Sequence, residues 1–483
     1  MKDRPFLHQE HEWQALWWLP DNPTDKVPGI FRYSPFDGLE LLLLGGFETT
    51  EVGSTGISFQ KEEKRWPIIL GEDASQPFTL LDCTLTALWP SGDTRPRKQN
   101  ISAQTALAGC HLREKGAPTF SHVEASIENL SVWAANSVLH ERRPVNKADG
   151  EAAALPSDGP AKTITAQLPA STARLAHSHT YDYFGRTTGS VYRKVSDTAV
   201  VGFEPHEPQP MDTLLSMISD VQDLLSFSSN AACGVLWNRL YLPPQTTRPP
   251  DIHGASTMKP VDVYRRPLVK GTPEAKAPRE GQMLFTLADV QFEKILPRWF
   301  EVKDRFRATI NMLLGLRYIP GGYLGTQLLT VVGAAEAFHL ALELDPPIPE
   351  DEFRQLKSAL MEAVPEERKQ WISGLLARND PSLKKRLLDL AGRPGTQIME
   401  QLLPNPEKWA KETRDARNNL THTGNSAKHA PEVLFAAMAT TSAVVTINLL
   451  DALGFSEDEL QLVMEKNTGQ LRLATQYSNE YLS

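Results

Sequence analysis

The chain has 483 residues, 41% of them hydrophobic and 23% charged, with a formal net charge of −9. That is a globular composition with length for two or three cored domains, and its negative charge excludes a protein that coats nucleic acid by bulk electrostatics. Three widely spaced cysteines, Cys83, Cys110 and Cys233, argue against a disulfide framework and fit the reduced thiols of a cytoplasmic protein. The opening Met1-Lys2-Asp3-Arg4-Pro5-Phe6 lacks the apolar core of a secretory signal.

Up to about residue 208 the pattern predicts strands. Leu39 to Leu44 is a continuous apolar run beside Gly45-Gly46, as in a strand buried on both faces. Phe78 to Leu88, Val123 to Trp133, Lys162 to Leu168 and Val191 to Phe203 are further candidates, set apart by Pro, Gly and Asp turns. Many strands without helices between them predict a sandwich or barrel-like domain. Residues 143–161 read as a long loop. Trp13, Trp17 and Trp18 suit either a ligand-binding aromatic platform or a core, and core packing is the simpler reading. His177-Ser178-His179 sets two imidazoles on one side of a strand, as a metal pair would need. No neighbouring carboxylate or cysteine in the sequence completes a ligand set, which leaves a polar strand face.

Met211 to Phe227 places Leu214, Leu215, Ile218, Val221, Leu224 and Leu225 on one helical face. Gly234 to Leu242 and Val261 to Val269 then read as strands around the Pro-rich stretch from Pro243 to Pro250. A polar linker runs from Lys270 to Gln282, so we divide the chain into a β-rich sensor or regulatory region, 1–284, and a helical region, 285–483. The fold class is therefore α+β in two parts. Predicted helices of the second part are Phe292 to Tyr318, Thr326 to Leu344, Glu350 to Ala363, Glu366 to Ala377, Pro381 to Leu390, Pro431 to Leu453 and Glu457 to Glu465, followed by a polar tail. Val433 to Leu450 carries no charge, but Thr440, Thr441, Ser442, Thr446 and Asn448 dilute it, which predicts a buried bundle helix rather than a membrane span. Pro320-Gly321-Gly322-Tyr323-Leu324-Gly325 has the glycines of a phosphate loop without its Lys-Ser/Thr, and reads as a tight turn between helices.

One further helix carries chemistry. Asn405 is a good N-cap, Pro406 fits the first helical position, Glu407 suits the positive dipole end, and Gly424 is a plausible stop. Trp409, Thr413, Ala416 and Leu420 recur at helical spacing. Its last turns hold Arg417, Asn418 and His422. RNA breaks when its own 2′-hydroxyl attacks the adjacent phosphorus, which calls for a proton acceptor, a proton donor and positive charge on the phosphate oxygens. Histidine serves the first two needs and the guanidinium the third. Residues five apart lie about 140° apart on a regular helix, so Arg417 and His422 meet only if the helix ends early or a second copy completes the site. The Arg-x-x-x-x-His spacing also occurs at Arg174/His179 and Arg248/His253, but neither has a capped helix beneath it.

Arg417-Asn418-x-x-x-His422, closing a helix in an all-helical segment, resembles the motif of the HEPN superfamily. The segment Val331 to Leu342, bearing Glu336 and His339, resembles the family's Glu-bearing helix. Leu16-Trp17-Trp18-Leu19-Pro20, Gly38 to Leu44, Ile69 to Glu72 and Thr79 to Cys83 resemble the N-terminal region of ApeA-like antiphage proteins. The resemblance implies an endoribonuclease of antiphage defence that needs no metal or cofactor and is active as a helical dimer. It makes RNA the substrate, with tRNA among the candidates, and leaves the phage trigger unknown. Arg417, His422 and Asn418 would be catalytic and Glu336 supporting, holding Arg417 toward the phosphate. Lys384, Lys385, Arg386 and Arg393 would offer a basic path for RNA. The alternative is a non-catalytic HEPN module that binds RNA or protein through the same groove.

Overall fold

A computed structural model describes residues 6–47, 52–53, 56–57, 64–89, 97–135, 163–186, 188, 191–244, 258–424 and 429–483. The expected loop at 143–161 and the Arg248/His253 pair lie outside the described residues. The chain divides into two compact units, Met1–Pro278 with Phe285–Pro297, and Arg279–Leu284 with Arg298–Ser483.

The first unit is β-rich. Its strands are β1 (His11–Trp18), β2 (Val27–Ser34), β3 (Gly38–Leu43), the short pair β4 (Val52–Gly53) and β5 (Gly56–Ile57), β6 (Arg65–Glu72), β7 (Pro77–Trp89), β8 (Lys98–Ala103) and β9 (Thr105–Ala108). After β10 (His122–Ile127) comes the short helix α1 (Leu130–Ala134), followed by β11 (Ile164–Leu168), β12 (Ser171–Arg186) and β13 (Val191–Pro205). Helix α2 (Met211–Ser228), β14 (Val235–Leu242) and β15 (Lys259–Arg265) complete it. Six strands in the order β7-β6-β1-β2-β3-β8 close on themselves as an antiparallel barrel, and the remaining strands β9-β15-β14-β10-β13-β12-β11 run outward as an open sheet. The sequence therefore resolves to a barrel, with an extension that its strand count alone did not reveal.

Alternation explains the barrel's interior. Val27, Phe31 and Tyr33 of β2 and Leu39, Leu41 and Leu43 of β3 point inward with Trp17, Ile69, Phe78 and Leu80. Trp17 has no solvent exposure, and a Cβ at Gly29 or Gly71 would collide with its indole, so these two glycines make room for the largest side chain of the core. Trp13 stacks on Phe31 with ring centroids 5.2 Å apart. Trp17 is thus a core residue, Trp13 packs half-buried against the core and Trp18 is buried, so the three serve packing rather than a platform. The open sheet buries Val123, Ala125, Leu175, Val201 and Phe203 on one face, where α2 lays Leu214, Ile218 and Val221 against it.

Two strand boundaries differ from the sequence reading. The expected strand Val123 to Trp133 stops at Ile127, because Asn129 turns left-handed (φ 65°) and starts α1. The expected strand to Val269 ends at Arg265, just before Pro267.

The second unit is helical, and the first turns of the helix opening at Phe292, up to Pro297, group with the first unit. The expected helix Phe292 to Tyr318 is broken at Phe306 (φ −108°, ψ 30°) into α3 (Phe292–Arg305) and α4 (Arg307–Tyr318). Then come α5 (Leu324–Ala341), α6 (Glu350–Ala363), α7 (Glu366–Leu375), α8 (Leu383–Gly392), α9 (Thr396–Leu402), α10 (Pro406–Thr423), α11 (Pro431–Ala452), α12 (Glu457–Lys466) and α13 (Gln470–Tyr481). The expected polar tail is α13, which buries Leu471, Ala474 and Ser478 at helical spacing. Helix α11 is the centre of the bundle and packs against α5, α8, α10 and α13. By length and composition it could cross a membrane, yet 83% of its most apolar window is buried by protein. Its Asn448 Nδ2 donates to the Leu390 carbonyl at 3.0 Å, and Thr441 and Thr446 donate to carbonyls one turn back, so most of the polar residues that dilute the helix find partners inside the bundle.

Candidate active site

Helix α10 forms where its caps place it. The Asn405 side chain accepts from the Lys408 N–H at 3.0 Å, Pro406 occupies the first turn, and Gly424 (φ 63°) ends the helix with its N–H bonded to the Leu420 carbonyl at 3.1 Å. Trp409, Ala410, Thr413 and Ala416 form the buried face. Ala416 packs with Leu328 and Val332 of α5 and Leu434 and Ala437 of α11, while the Trp409 indole donates to Thr441 Oγ1 at 3.2 Å. A Cβ at Gly325 would lie 2.9 Å from Leu420 Cδ2, so the missing side chain lets α5 approach the end of α10.

This crossing brings Glu336 of α5 to Arg417. Arg417 Nη2 lies 3.5 Å from Glu336 Oε2, and Nη1 lies 3.4 Å from Asn418 Oδ1. Both contacts sit at the long end of hydrogen bonding, and the two charged side chains keep 32% and 29% of their exposure. The guanidinium is therefore oriented but still open to an incoming anion.

His422 is exposed on the last turn of α10, and the helix stays regular through Thr423. The early helix end that would swing His422 toward Arg417 does not occur. Asn418 and His422 share a face, whereas Arg417 and His422 stand about 140° apart around the axis. One chain thus brings Glu336, Arg417 and Asn418 together, with His422 exposed one turn beyond Asn418.

The basic residues of α8 and its C-terminal end are each matched by a carboxylate. Lys384 pairs with Glu407 at 2.6 Å, Arg386 faces Asp380 at 3.7 Å, Arg393 meets Asp451 at 3.1 Å, and Lys385 pairs with Asp389. RNA bound here would have to exchange carboxylate for phosphate at each of them. His339 is buried and its Nε2 lies 3.0 Å from Asp389 Oδ2. Burial alone would raise the Asp389 carboxyl, but hydrogen bonds from Lys385 and His339 outweigh it and hold it below the usual range. His429, which no sequence pattern singles out, lies against α10, 3.4 Å from Glu412 and 3.3 Å from Asn419.

In the first unit, His177 Nδ1 is 3.0 Å from Asp197, so a cross-strand carboxylate supplies what the local sequence lacks; of His179 only the backbone is described. No group of three or more His, Cys, Asp or Glu suited to a metal ion occurs among the described residues.

Comparison with protein families adds to this geometry. Residues 12–299 match the model of ApeA N-terminal domain 1, and residues 329–459 match that of the Apea-like HEPN domain. The chain belongs to the ApeA family. It is an antiphage family with a HEPN nuclease domain, and Glu336, Arg417, Asn418 and His422 all fall inside the HEPN match. The ApeA match takes in the closed barrel and the open sheet together. No curated protein and no solved structure matches the chain.

Proposed function

We propose that this protein is a cytoplasmic endoribonuclease of antiphage defence, cutting RNA by 2′-hydroxyl transesterification without a metal ion. Arg417 stabilises the charge that builds on the phosphorane, His422 moves protons, and Asn418 orients the substrate or the imidazole. Glu336 keeps the guanidinium aimed. The observation that carries this reading is the Glu336–Arg417 pair, a cation held in place yet still open, inside the segment matched by the HEPN family.

Two copies complete the site, because a regular α10 turns His422 away from Arg417 of its own chain. Across a twofold axis, Arg417 of one chain and His422 of the other flank one scissile linkage. The β-rich region 1–284 senses the phage-derived trigger, and the helical region 285–483 cuts, with tRNA the first RNA to examine.

The test is incubation of total cellular RNA with wild type and with His422→Ala, followed by mapping of the ends. Ends carrying 2′,3′-cyclic phosphate, formed in the presence of EDTA and lost in His422→Ala, support the proposal; DNA stays intact because it lacks the 2′-hydroxyl. Cleavage that EDTA abolishes and magnesium restores overturns it. Retained RNA binding without any cutting by wild type would favour a non-catalytic binding module.

A further inference from the structure

The turn between α4 and α5 carries, at its two ends, the most exposed large apolar side chains among the described residues. Ile319 closes α4, its N–H bonded to the Gly315 carbonyl at 3.1 Å, and is 73% exposed. Tyr323 opens α5 and is 87% exposed. Single apolar side chains at a surface are ordinary. This pair is set apart by how the chain between them is held and by what lies beside it.

Gly321 (φ 112°) and Gly322 (φ 96°) adopt backbone conformations that favour glycine, and a Cβ on either would meet nothing within 4 Å. The two glycines therefore serve the path of the chain and not close packing. Gln327 Nε2 donates to the Gly321 carbonyl at 3.3 Å, and the N–H groups of Thr326 and Gln327 bond to the Tyr323 carbonyl at 2.9 and 3.2 Å. Leu324, next in the chain, packs against the cluster of Leu328, Val332 and Ala416. The backbone of Tyr323 is thus fixed while its ring stays in solvent.

The turn borders the proposed active site. Gly325 abuts Leu420, which lies on α10 between Arg417 and His422. Two residues of backbone span at most about 7 Å, so Tyr323 stands next to this contact. RNA needs a hold here that charge does not readily supply. The chain has a net charge of −9, and Lys384, Lys385, Arg386 and Arg393 each face a carboxylate. Unpaired bases offer another hold, since each has a flat face that stacks on an exposed aromatic ring whatever the sequence. A tyrosine loses little conformational freedom when it is covered in this way.

We propose that Tyr323 is a base-stacking residue of this site: an unpaired base flanking the scissile linkage lies on its ring and positions the strand beside Arg417. Tyr323 acts on binding and stays clear of the reacting atoms. This role rests on the RNA-cutting reading above.

The test uses the full chain and a labelled single-stranded RNA with methylated 2′-hydroxyls, which can bind but not be cut, followed by fluorescence anisotropy. Tyr323→Phe binds as wild type does, whereas Tyr323→Leu and Tyr323→Ala bind about tenfold more weakly. Leucine is the informative change, because it keeps an apolar contact and loses the aromatic face. On unmethylated RNA the same two variants raise KM about tenfold with kcat nearly unchanged, as expected when binding is lost equally from ground and transition states. Circular dichroism and sedimentation match wild type in every variant. Wild-type affinity in Tyr323→Leu or Tyr323→Ala, or no binding of either strand by wild type, overturns the proposal. Loss of self-association in Tyr323→Ala overturns it too, making the turn a contact between copies. The nuclease reading fails separately. Tyr323-dependent binding without cleavage of unmethylated RNA keeps the stacking role and removes the enzyme, while cleavage indifferent to Tyr323 does the reverse.

Discussion

Arg417 and Glu336, which stand 81 positions apart in the chain, meet at 3.5 Å where α5 crosses α10. If the guanidinium stabilises a phosphorane, Arg417→Ala lowers cleavage by about 10²–10³-fold, the usual cost of losing a group that meets developing charge. Arg417→Lys recovers little, because an ammonium cannot fork onto two phosphate oxygens. Glu336→Gln keeps the shape and removes the charge that aims the arginine. It lowers kcat by about tenfold with little change in KM, as expected for an interaction realised only in the transition state. Steady-state kinetics on a labelled RNA measures all three, and a change confined to KM would make Glu336 a binding residue instead.

The angular separation of Arg417 and His422 on α10 yields a sharper test. Arg417→Ala and His422→Ala are each inactive alone. When the two are mixed under subunit exchange, half of the dimers are mixed, and each of these holds one intact Arg417–His422 pair. Activity then returns to about one quarter of wild type if the site is shared across a twofold axis. No recovery after verified exchange would mean that each chain builds its own site.

Trp409 holds the motif helix in the bundle. It has no solvent exposure and donates its indole N–H to Thr441. Trp409→Ala costs about 3–5 kcal/mol through the cavity left behind. Asn405→Ala removes one N-cap bond and costs about 1 kcal/mol. Denaturant unfolding monitored by circular dichroism separates the two, and near-equal losses would show that α10 is held by its cap rather than its packing.

Glu124 gives the β-rich unit an acid limit. Its carboxyl lies below the ordinary value because hydrogen bonds from His122 and Tyr241 overcome the effect of burial. A carboxyl depressed in the folded state contributes stability above the unfolded value, about 4.3. That contribution fades as pH falls through the lower folded value. Glu124→Gln therefore reduces stability at pH 7 and narrows its gap from wild type as pH drops below about 4. Denaturation midpoints taken from pH 7 to pH 3 check this, and a gap that widens on acidification would contradict it.

The motif helix was legible in the sequence because its determinants are local. Asn405, Pro406 and Gly424 mark its ends, and the Trp409–Thr413–Ala416–Leu420 spacing marks its buried face. The same holds for α2 and α11, whose apolar patterns are long. What escaped depends on distant parts of the chain. Barrel closure requires β8 to pair with β3 and β7 at once, a relation that no window of sequence contains. The cluster of His122, Glu124, Arg174 and Glu204 likewise joins β10 to the β12–β13 hairpin, which lies far along the chain. Helix α13 was missed for a different reason: its exposed polar residues outnumber the few small ones that it buries. The helix stays regular through His422, so the early helix end that would have swung this residue toward Arg417 is absent.

Residues 98–108 run beside β7 as a nearly continuous rail, β8 pairing with Thr84–Trp89 and β9 with Phe78–Leu81. The other edge of that rail changes owner at Gln104: β8 turns to β3 and seals the barrel, while β9 turns to β15 and launches the open sheet. Asp82 (φ 52°) stands opposite this fork in β7. Neither half of the β-rich unit can be excised intact, because β7 and the segment 98–108 run through both. A protease nick within this rail would unravel barrel and sheet in one step, and evolution could exchange them only as a pair.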